Sequence, residues 1–154
     1  MQILQRILLF LGRLFLSSIF LLSAVQKLFH WQEAKEGLVY MLASWQVISE
    51  THPAFGVVFS HAVSWSSFFL IVAIALELVG GGLIVLGWQA RLGAFLLLLF
   101  LLPTTIIFHH FWYFEGLKRD IELAMFLKNI AILGGILYVL VHGSSLKRPN
   151  SLEK

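Results

Sequence analysis

The sequence predicts an all-α integral membrane protein: a four-helix transmembrane bundle with an amphipathic helix in its first outer loop. The first observation is composition, because 59% of the 154 residues are apolar and only 12% are charged. Soluble domains average about 45–50% apolar and about 25% charged residues. The second observation is a series of four long apolar segments. A short chain could not bury this much apolar surface in water, so we expect one membrane domain at 1–143 and a polar cytoplasmic tail at 144–154.

Each of the four apolar segments is long enough to cross a bilayer, which takes about 20 mostly apolar residues. We predict spans at about 7–29, 62–87, 89–113 and 121–142. A tight turn at Gly87-Trp88-Gln89 makes the second and third spans antiparallel neighbours. The first segment looks like a signal peptide, but Arg13 divides it and its apolar character continues to Phe29, so we interpret it as a retained span.

Lysine and arginine in the short flanks predict the orientation, because these residues accumulate on the cytoplasmic side. Acidic residues dilute the positive charge on the other side of the membrane. Both termini are therefore predicted to be cytoplasmic. The net charge is only +3 and no basic cluster occurs, so we predict no nucleic-acid partner. The cytoplasmic group is Arg6, Arg91, Lys147, Arg148 and Lys154, and the outer group is Lys35, Lys118 and Arg119.

The segment 30–61 is too long for a plain connection. Its apolar residues recur at helical spacing, which predicts a short amphipathic helix on the outer membrane surface. His52-Pro53 is expected to end this helix. It could simply cover the bundle, or it could act as a gating lid. The residues in the pattern are Ala34, Leu38, Met41, Leu42, Trp45 and Ile48.

Glu77 is the only ionisable residue in the apolar run 68–86. A carboxylate inside a bilayer is costly unless it is protonated, paired or facing a polar cavity, so it marks a functional site by default. With cytoplasmic termini, Arg13 and Glu77 lie within about one helical turn of the same depth. We therefore expect a buried Arg13–Glu77 ion pair, which could be a structural lock or a proton relay.

A basic, partly apolar pocket is expected in the outer half, lined by Lys128, His109, Asn129 and Lys27. Such a pocket suits a quinone carbonyl, an anionic substrate or a lipid headgroup, and the residue types do not choose among these. Lys27 could instead extend to the interface. Without cysteine, and without a spacing typical of ligands, no metal or haem site is predicted, and no catalytic residue is assigned.

Small residues predict close helix packing, which in lipid depends on the approach of the two backbones. They are Gly80, Gly81 and Gly82 in the second span, and Gly134 and Gly135 in the fourth.

Together these motifs resemble the DoxX family of small bacterial inner-membrane proteins. Glu77 begins an E-x-x-G-G pattern that is followed by Gly87 and Arg91, and Phe108-His109 ends the third span. The fourth span adds the motif 125–129 followed by two glycines. The likeness extends over about 12–143. It departs at Ala24-Val25-Gln26, where the family often has glycine, and in longer connections on the outer side.

The resemblance implies a four-helix bundle in the bacterial inner membrane. Some members of the family resemble or serve as the membrane subunit of thiosulfate:quinone oxidoreductase, and others are linked to oxidative-stress resistance. We therefore expect a quinone-interacting membrane subunit with a soluble or membrane redox partner, and a homo-oligomer is compatible with this role. The alternatives are a small proton-coupled transporter that uses Glu77 and a non-catalytic membrane assembly subunit.

Overall fold

The protein is described by a computed structural model that covers residues 2–48 and 53–143. The expected polar tail at 144–154 and the expected helix end at His52 lie outside this part. Among the described residues the chain is helical, without a strand. The helices are α1 (Gln2–Phe29), α2 (Trp31–Ile48), α3 (Pro53–Ser64), α4 (Ser66–Leu86), α5 (Ala90–Phe108), a 3₁₀ helix (Phe111–Tyr113) and α6 (Gly116–His142).

Four of these helices are long and apolar enough to cross a membrane: α1, α4, α5 together with the 3₁₀ helix, and α6. The predicted class, an all-α membrane bundle, is confirmed. Two of the spanning helices begin earlier than expected. α1 begins at Gln2, five residues before the expected start, and α6 begins at Gly116 because the polar stretch 116–120 is also helical.

The connection between the first two spanning helices contains two helices, although the sequence pattern predicted only one. α2 includes the expected amphipathic segment, and α3 follows it. A break at Trp65 separates α3 from α4, and the N–H of Trp65 lies 3.2 Å from the carbonyl oxygens of both His61 and Ala62. The second membrane-spanning helix therefore starts at Ser66, four residues later than expected.

The four spanning helices pack in chain order. α1 lies against α4, α4 against α5 and α5 against α6, whereas α1 and α6 scarcely touch. α2 crosses one end of the bundle and contacts α1, α4 and α5. A main apolar core joins α1, α4, α5 and α6, and a smaller one fills the space beneath α2. The main core consists of Phe20, Ile84, Ala94, Leu97, Phe100, Leu101 and Ile136, and the smaller one of Ala24, Leu70 and Ile74.

The turn between α4 and α5 needs left-handed backbone at two positions. Gly87 has a φ of 68° and its N–H donates to the carbonyl of Ile84 over 3.1 Å. Gln89, with a φ of 51°, supplies the second left-handed residue. Glycine adopts this conformation without the steric cost that a side chain brings. The turn makes α4 and α5 antiparallel neighbours, as the sequence predicted.

Arg91 joins this turn to the end of α6. Its Nε donates to the carbonyl of Gly143 over 2.8 Å, and its Nη2 donates to the carbonyl of Val141 over 3.0 Å. The last carbonyls of a helix have no partner within the helix and carry partial negative charge, so a guanidinium satisfies both needs. The start of α5 and the end of α6 therefore lie at the same end of the bundle.

Candidate functional site: a buried ion pair beside an apolar cavity

Glu77 forms a buried ion pair with Lys27. The Nζ of Lys27 lies 2.8 Å from Oε1 and 2.7 Å from Oε2 of Glu77, and 2.6 Å from the Oγ of Ser23. The Glu77 side chain is 1% exposed and that of Lys27 is 24% exposed. An ammonium group has three N–H donors, and here each has an acceptor. Lys27 therefore covers the Glu77 carboxylate and is the more exposed member of the pair.

The structure pairs Glu77 with Lys27, whereas the sequence led us to expect Arg13 as its partner. A Cβ built on Gly87 would collide with the Arg13 guanidinium, which places that group at the α4–α5 turn. Gly87 follows Glu77 by ten residues, which is about 15 Å along a helix that rises 1.5 Å per residue. Arg13 therefore interacts near the turn, far from the Glu77 carboxylate.

Two features explain why Lys27, and not Arg13, reaches Glu77. First, the side chain of Leu21 and the backbone of Ser17 lie against Gly81, so the first turns of α1 extend past the end of α4. Second, helical side chains point toward the N-terminus of their own helix. In antiparallel helices the side chains of Lys27 and Glu77 therefore point toward each other, which a comparison of Cα depths does not take into account.

A cavity of about 820 Å³ lies beside the ion pair. Its walls are mostly apolar, and the outer-half polar residues predicted from the sequence line it together. Lys27 contributes from α1, Glu77 from α4, His109 from the end of α5, and Lys128 and Asn129 from α6. The ring of Phe100 forms part of the wall, with its centroid 5.1 Å from the Lys27 ammonium. The structure thus gathers the predicted pocket residues around one space.

The other polar residues of the cavity differ in how firmly they are held. Asn129 is buried, and its Nδ2 donates to the Oγ1 of Thr105 over 3.2 Å. The Nδ1 of His109 lies 2.9 Å from an oxygen of Glu122, which joins the end of α5 to α6. Lys128 is exposed at the edge of the cavity, and its Nζ lies 3.4 Å from the Sδ of Met125. Lys128 therefore has weaker polar contacts than Lys27, the other cavity lysine.

The predicted glycines divide into two groups. Gly80, Gly81 and Gly135 lie against neighbouring helices, where an added Cβ would meet Leu97, Leu21 and Leu16 respectively. Gly82 and Gly134 face open space, with no atom within 4 Å of an added Cβ. Close packing therefore depends on the first group, and also on Gly93 of α5. An added Cβ at Gly93 would lie 2.6 Å from the carbonyl oxygen of Gly80.

Sequence reasoning missed an aromatic cluster that holds α2 over the bundle. The Nε1 of Trp45 donates to the carbonyl of Ile107 over 2.8 Å, and the Nδ1 of His110 lies 2.9 Å from the same oxygen. The Trp45 ring stacks on Phe59 and contacts His110 and Tyr113. The helical spacing identified Trp45 only as an apolar residue. Its role as a donor to an unpaired carbonyl at the end of α5 depends on tertiary placement.

Fold and site together define a multi-pass membrane protein whose one buried carboxylate, among the described residues, is paired with a lysine beside an apolar cavity. The DoxX family model matches residues 8–110, two thirds of the chain, so the protein belongs to the DoxX family. It is 34% identical over 73 residues to inner membrane protein YphA of Escherichia coli strain K12. That alignment covers 47% of this chain and 52% of the relative, so the chain matches about half the length of this relative. No solved structure matches.

Proposed function

We propose that this DoxX protein is a quinone-interacting subunit of a redox or oxidative-stress system in the bacterial inner membrane. The observation that carries the proposal is the Lys27 ammonium, held by Glu77 on the wall of an apolar cavity of about 820 Å³. A quinone has a flat apolar ring with carbonyl oxygens that accept hydrogen bonds. Apolar pockets with a few fixed polar groups bind such ligands. The name of the E. coli relative supports the inner membrane.

Lys27 is the group best placed to bind a quinone carbonyl. Its three N–H donors are occupied by two carboxylate oxygens and by the hydroxyl of Ser23. An incoming carbonyl therefore replaces the neutral acceptor, Ser23, while the charged contact with Glu77 remains. Glu77 acts as a positioning residue, because it fixes the ammonium through both carboxylate oxygens and, although it lines the cavity, its side chain is only 1% exposed. Asn129 and Lys128 line the same cavity from α6, and electrons would come from a redox partner subunit.

The ion pair argues against Glu77 as the proton carrier of a transporter. Such a carboxylate must exchange protons with each side of the membrane in turn. Here both carboxylate oxygens accept from Lys27, and the side chain is 1% exposed.

Equilibrium binding of a quinone to the full chain in lipid nanodiscs tests the proposal. The Lys27→Met/Glu77→Gln double variant removes the ammonium without leaving a lone buried charge. It should bind at least about tenfold more weakly, since a hydrogen bond to a charged group contributes about 1.5–3 kcal/mol. Lys118→Met removes an exposed lysine outside the cavity, and its affinity should equal that of the unaltered chain. Absence of quinone binding by the unaltered chain would refute the proposal.

A further inference from the structure

Residues of both α1 and α6 line the cavity, and these two helices make few contacts with each other, which leaves an α1–α6 gap beside the cavity. These two helices approach each other where Leu16 lies against Gly135; a Cβ on that glycine would be 3.2 Å from Leu16 Cδ1. Beyond this contact, toward the end of α1 and the start of α6, residues of both helices line the cavity. These residues are Ile19, Ser23 and Gln26 on α1, and Lys128 and Ile132 on α6.

The chemistry of this gap is apolar near the helix contact and polar farther out. Ile19 is 41% exposed, and both Ile19 and Ile132 line the cavity. The contact of Leu16 with Gly135 places these two isoleucines at a similar depth, where a spanning helix is surrounded by hydrocarbon. Ser23 and Lys27 follow on α1, and Lys128 on α6. A molecule in the gap would therefore have apolar atoms between the isoleucines and polar atoms beside the lysines.

We propose that the ligand enters from the bilayer through the α1–α6 gap and that its apolar tail remains there while its head group contacts Lys27. This inference rests on the proposed function and narrows it to quinones with a hydrocarbon tail. The area that such a tail buries adds affinity that a tail-free ring lacks, at about 0.8 kcal/mol per buried methylene group. Ile19 and Ile132 are then the residues that select for the tail.

Filling the gap with a larger side chain tests this role. Ile19→Trp and Ile132→Trp should each weaken binding of a long-tailed quinone by about tenfold, because each indole occupies the space of several methylene groups. Binding of a tail-free benzoquinone should change by less than about twofold. Leu22→Trp and Ile130→Trp are matched controls, since both positions are exposed on the same two helices but do not line the cavity. Equal losses for tailed and tail-free quinones, or unchanged binding of both, would overturn the proposal.

A second measurement does not depend on any quinone. The chain has no cysteine, so Ile132→Cys and the control Ile130→Cys can each carry one fluorophore. Lipids brominated in their acyl chains should quench both labels to a similar extent if the gap is open to the bilayer. Quenching at 130 without quenching at 132 would show a closed gap and would overturn the inference. Failure of all quinones to bind, with quenching at both positions, would instead refute the proposed function and leave the opening intact.

Discussion

At the scale of single residues, the two members of the ion pair depend on each other unequally. Glu77 is 1% exposed, and both of its carboxylate oxygens accept hydrogen bonds from the Lys27 ammonium. Lys27 is 24% exposed and lies beside the cavity. Removing one member of a buried pair leaves an uncompensated charge, which costs more than the pair itself contributes. Substitution of Lys27 should therefore lower the free energy of unfolding more than substitution of Glu77.

Lys27→Met should lower the free energy of unfolding by about 3–5 kcal/mol, because it leaves the Glu77 carboxylate buried alone. Glu77→Gln should cost only about 1–2 kcal/mol, since the Lys27 ammonium can turn toward the cavity. Unfolding in mixed micelles measures both values. Lys128→Met is the matched control for losing a cavity lysine and should change stability by less than about 0.5 kcal/mol. Equal effects of Lys27→Met and Lys128→Met would contradict this account.

The double variants should separate the two candidate partners of Glu77. Lys27→Met and Glu77→Gln should couple by about 1–3 kcal/mol, because the two side chains are in direct contact. Arg13→Gln and Glu77→Gln should be additive within about 0.5 kcal/mol, since the Arg13 guanidinium lies at the α4–α5 turn. A coupling between Arg13 and Glu77 as large as that of Lys27 would restore the partner expected from sequence.

Sequence could predict that Glu77 needs a positive partner, but not which one. The requirement follows from the cost of a charge in hydrocarbon, which is a property of the residue itself. The partner depends on how far α1 slides along α4, and small residues such as Ser17 and Gly81 set that register by letting the helices approach. Sequence could assign Lys128, His109 and Asn129 to one pocket. That assignment needs only their depths in the membrane and no direct contact between their side chains.

At the scale of helices, α4 and α5 are held together by the approach of Gly80 and Gly93. Gly93→Ala should lower the free energy of unfolding by about 1–3 kcal/mol, because its Cβ would lie 2.6 Å from a backbone oxygen that cannot move alone. Gly82→Ala, on the same helix as Gly80, faces open space and should be neutral or stabilising by up to about 1 kcal/mol. Unfolding in mixed micelles measures both. A Gly93→Ala protein as stable as Gly82→Ala would exclude this contact.

The attachment of α2 should depend on one hydrogen bond. Trp45→Phe keeps an aromatic ring that can stack on Phe59 but removes the donor to the Ile107 carbonyl, a loss of about 1 kcal/mol. Hydrogen exchange of the α2 amides should become faster, while exchange in α4 stays the same. Trp65→Phe is the control, because Trp65 is exposed and contacts only Phe68 among the described aromatic rings. Unchanged α2 protection in Trp45→Phe would show that this bond does not hold the helix.

Sequence predicted the helices better than their ends. Each apolar segment is long enough to predict a spanning helix. Gly87 indicates the α4–α5 turn, because glycine readily adopts the positive φ that this turn requires. The break at Trp65 had a weaker signal: no proline or glycine lies beside it, and only the serines at 64, 66 and 67 interrupt the apolar residues there. That break depends on how α3 packs on α2 and α4, which the local pattern does not contain.

At the scale of the whole molecule, the described residues form four spanning helices, an even number, so the start of α1 and the end of α6 lie on the same side of the membrane. The structure agrees, because Arg13 of α1 lies at the α4–α5 turn, and Arg91 of that turn binds the end of α6. The charge of the flanking segments predicts which side of the membrane this is. The flanks at this end carry five lysine and arginine residues with little acidic dilution, so we predict that it is cytoplasmic.

Single cysteines in this cysteine-free chain can test that orientation in intact cells. Glu115→Cys lies at the exposed start of α6, at the opposite end from the termini, and should react with a membrane-impermeant thiol reagent added outside. Ser151→Cys, in the C-terminal tail, should react only after the inner membrane is permeabilised, because the positive flanks keep this end inside. The reverse labelling pattern would invert the topology. It would also place the outer mouth of the cavity, with His109 and Lys128, on the cytoplasmic side, where a soluble redox partner could reach it directly.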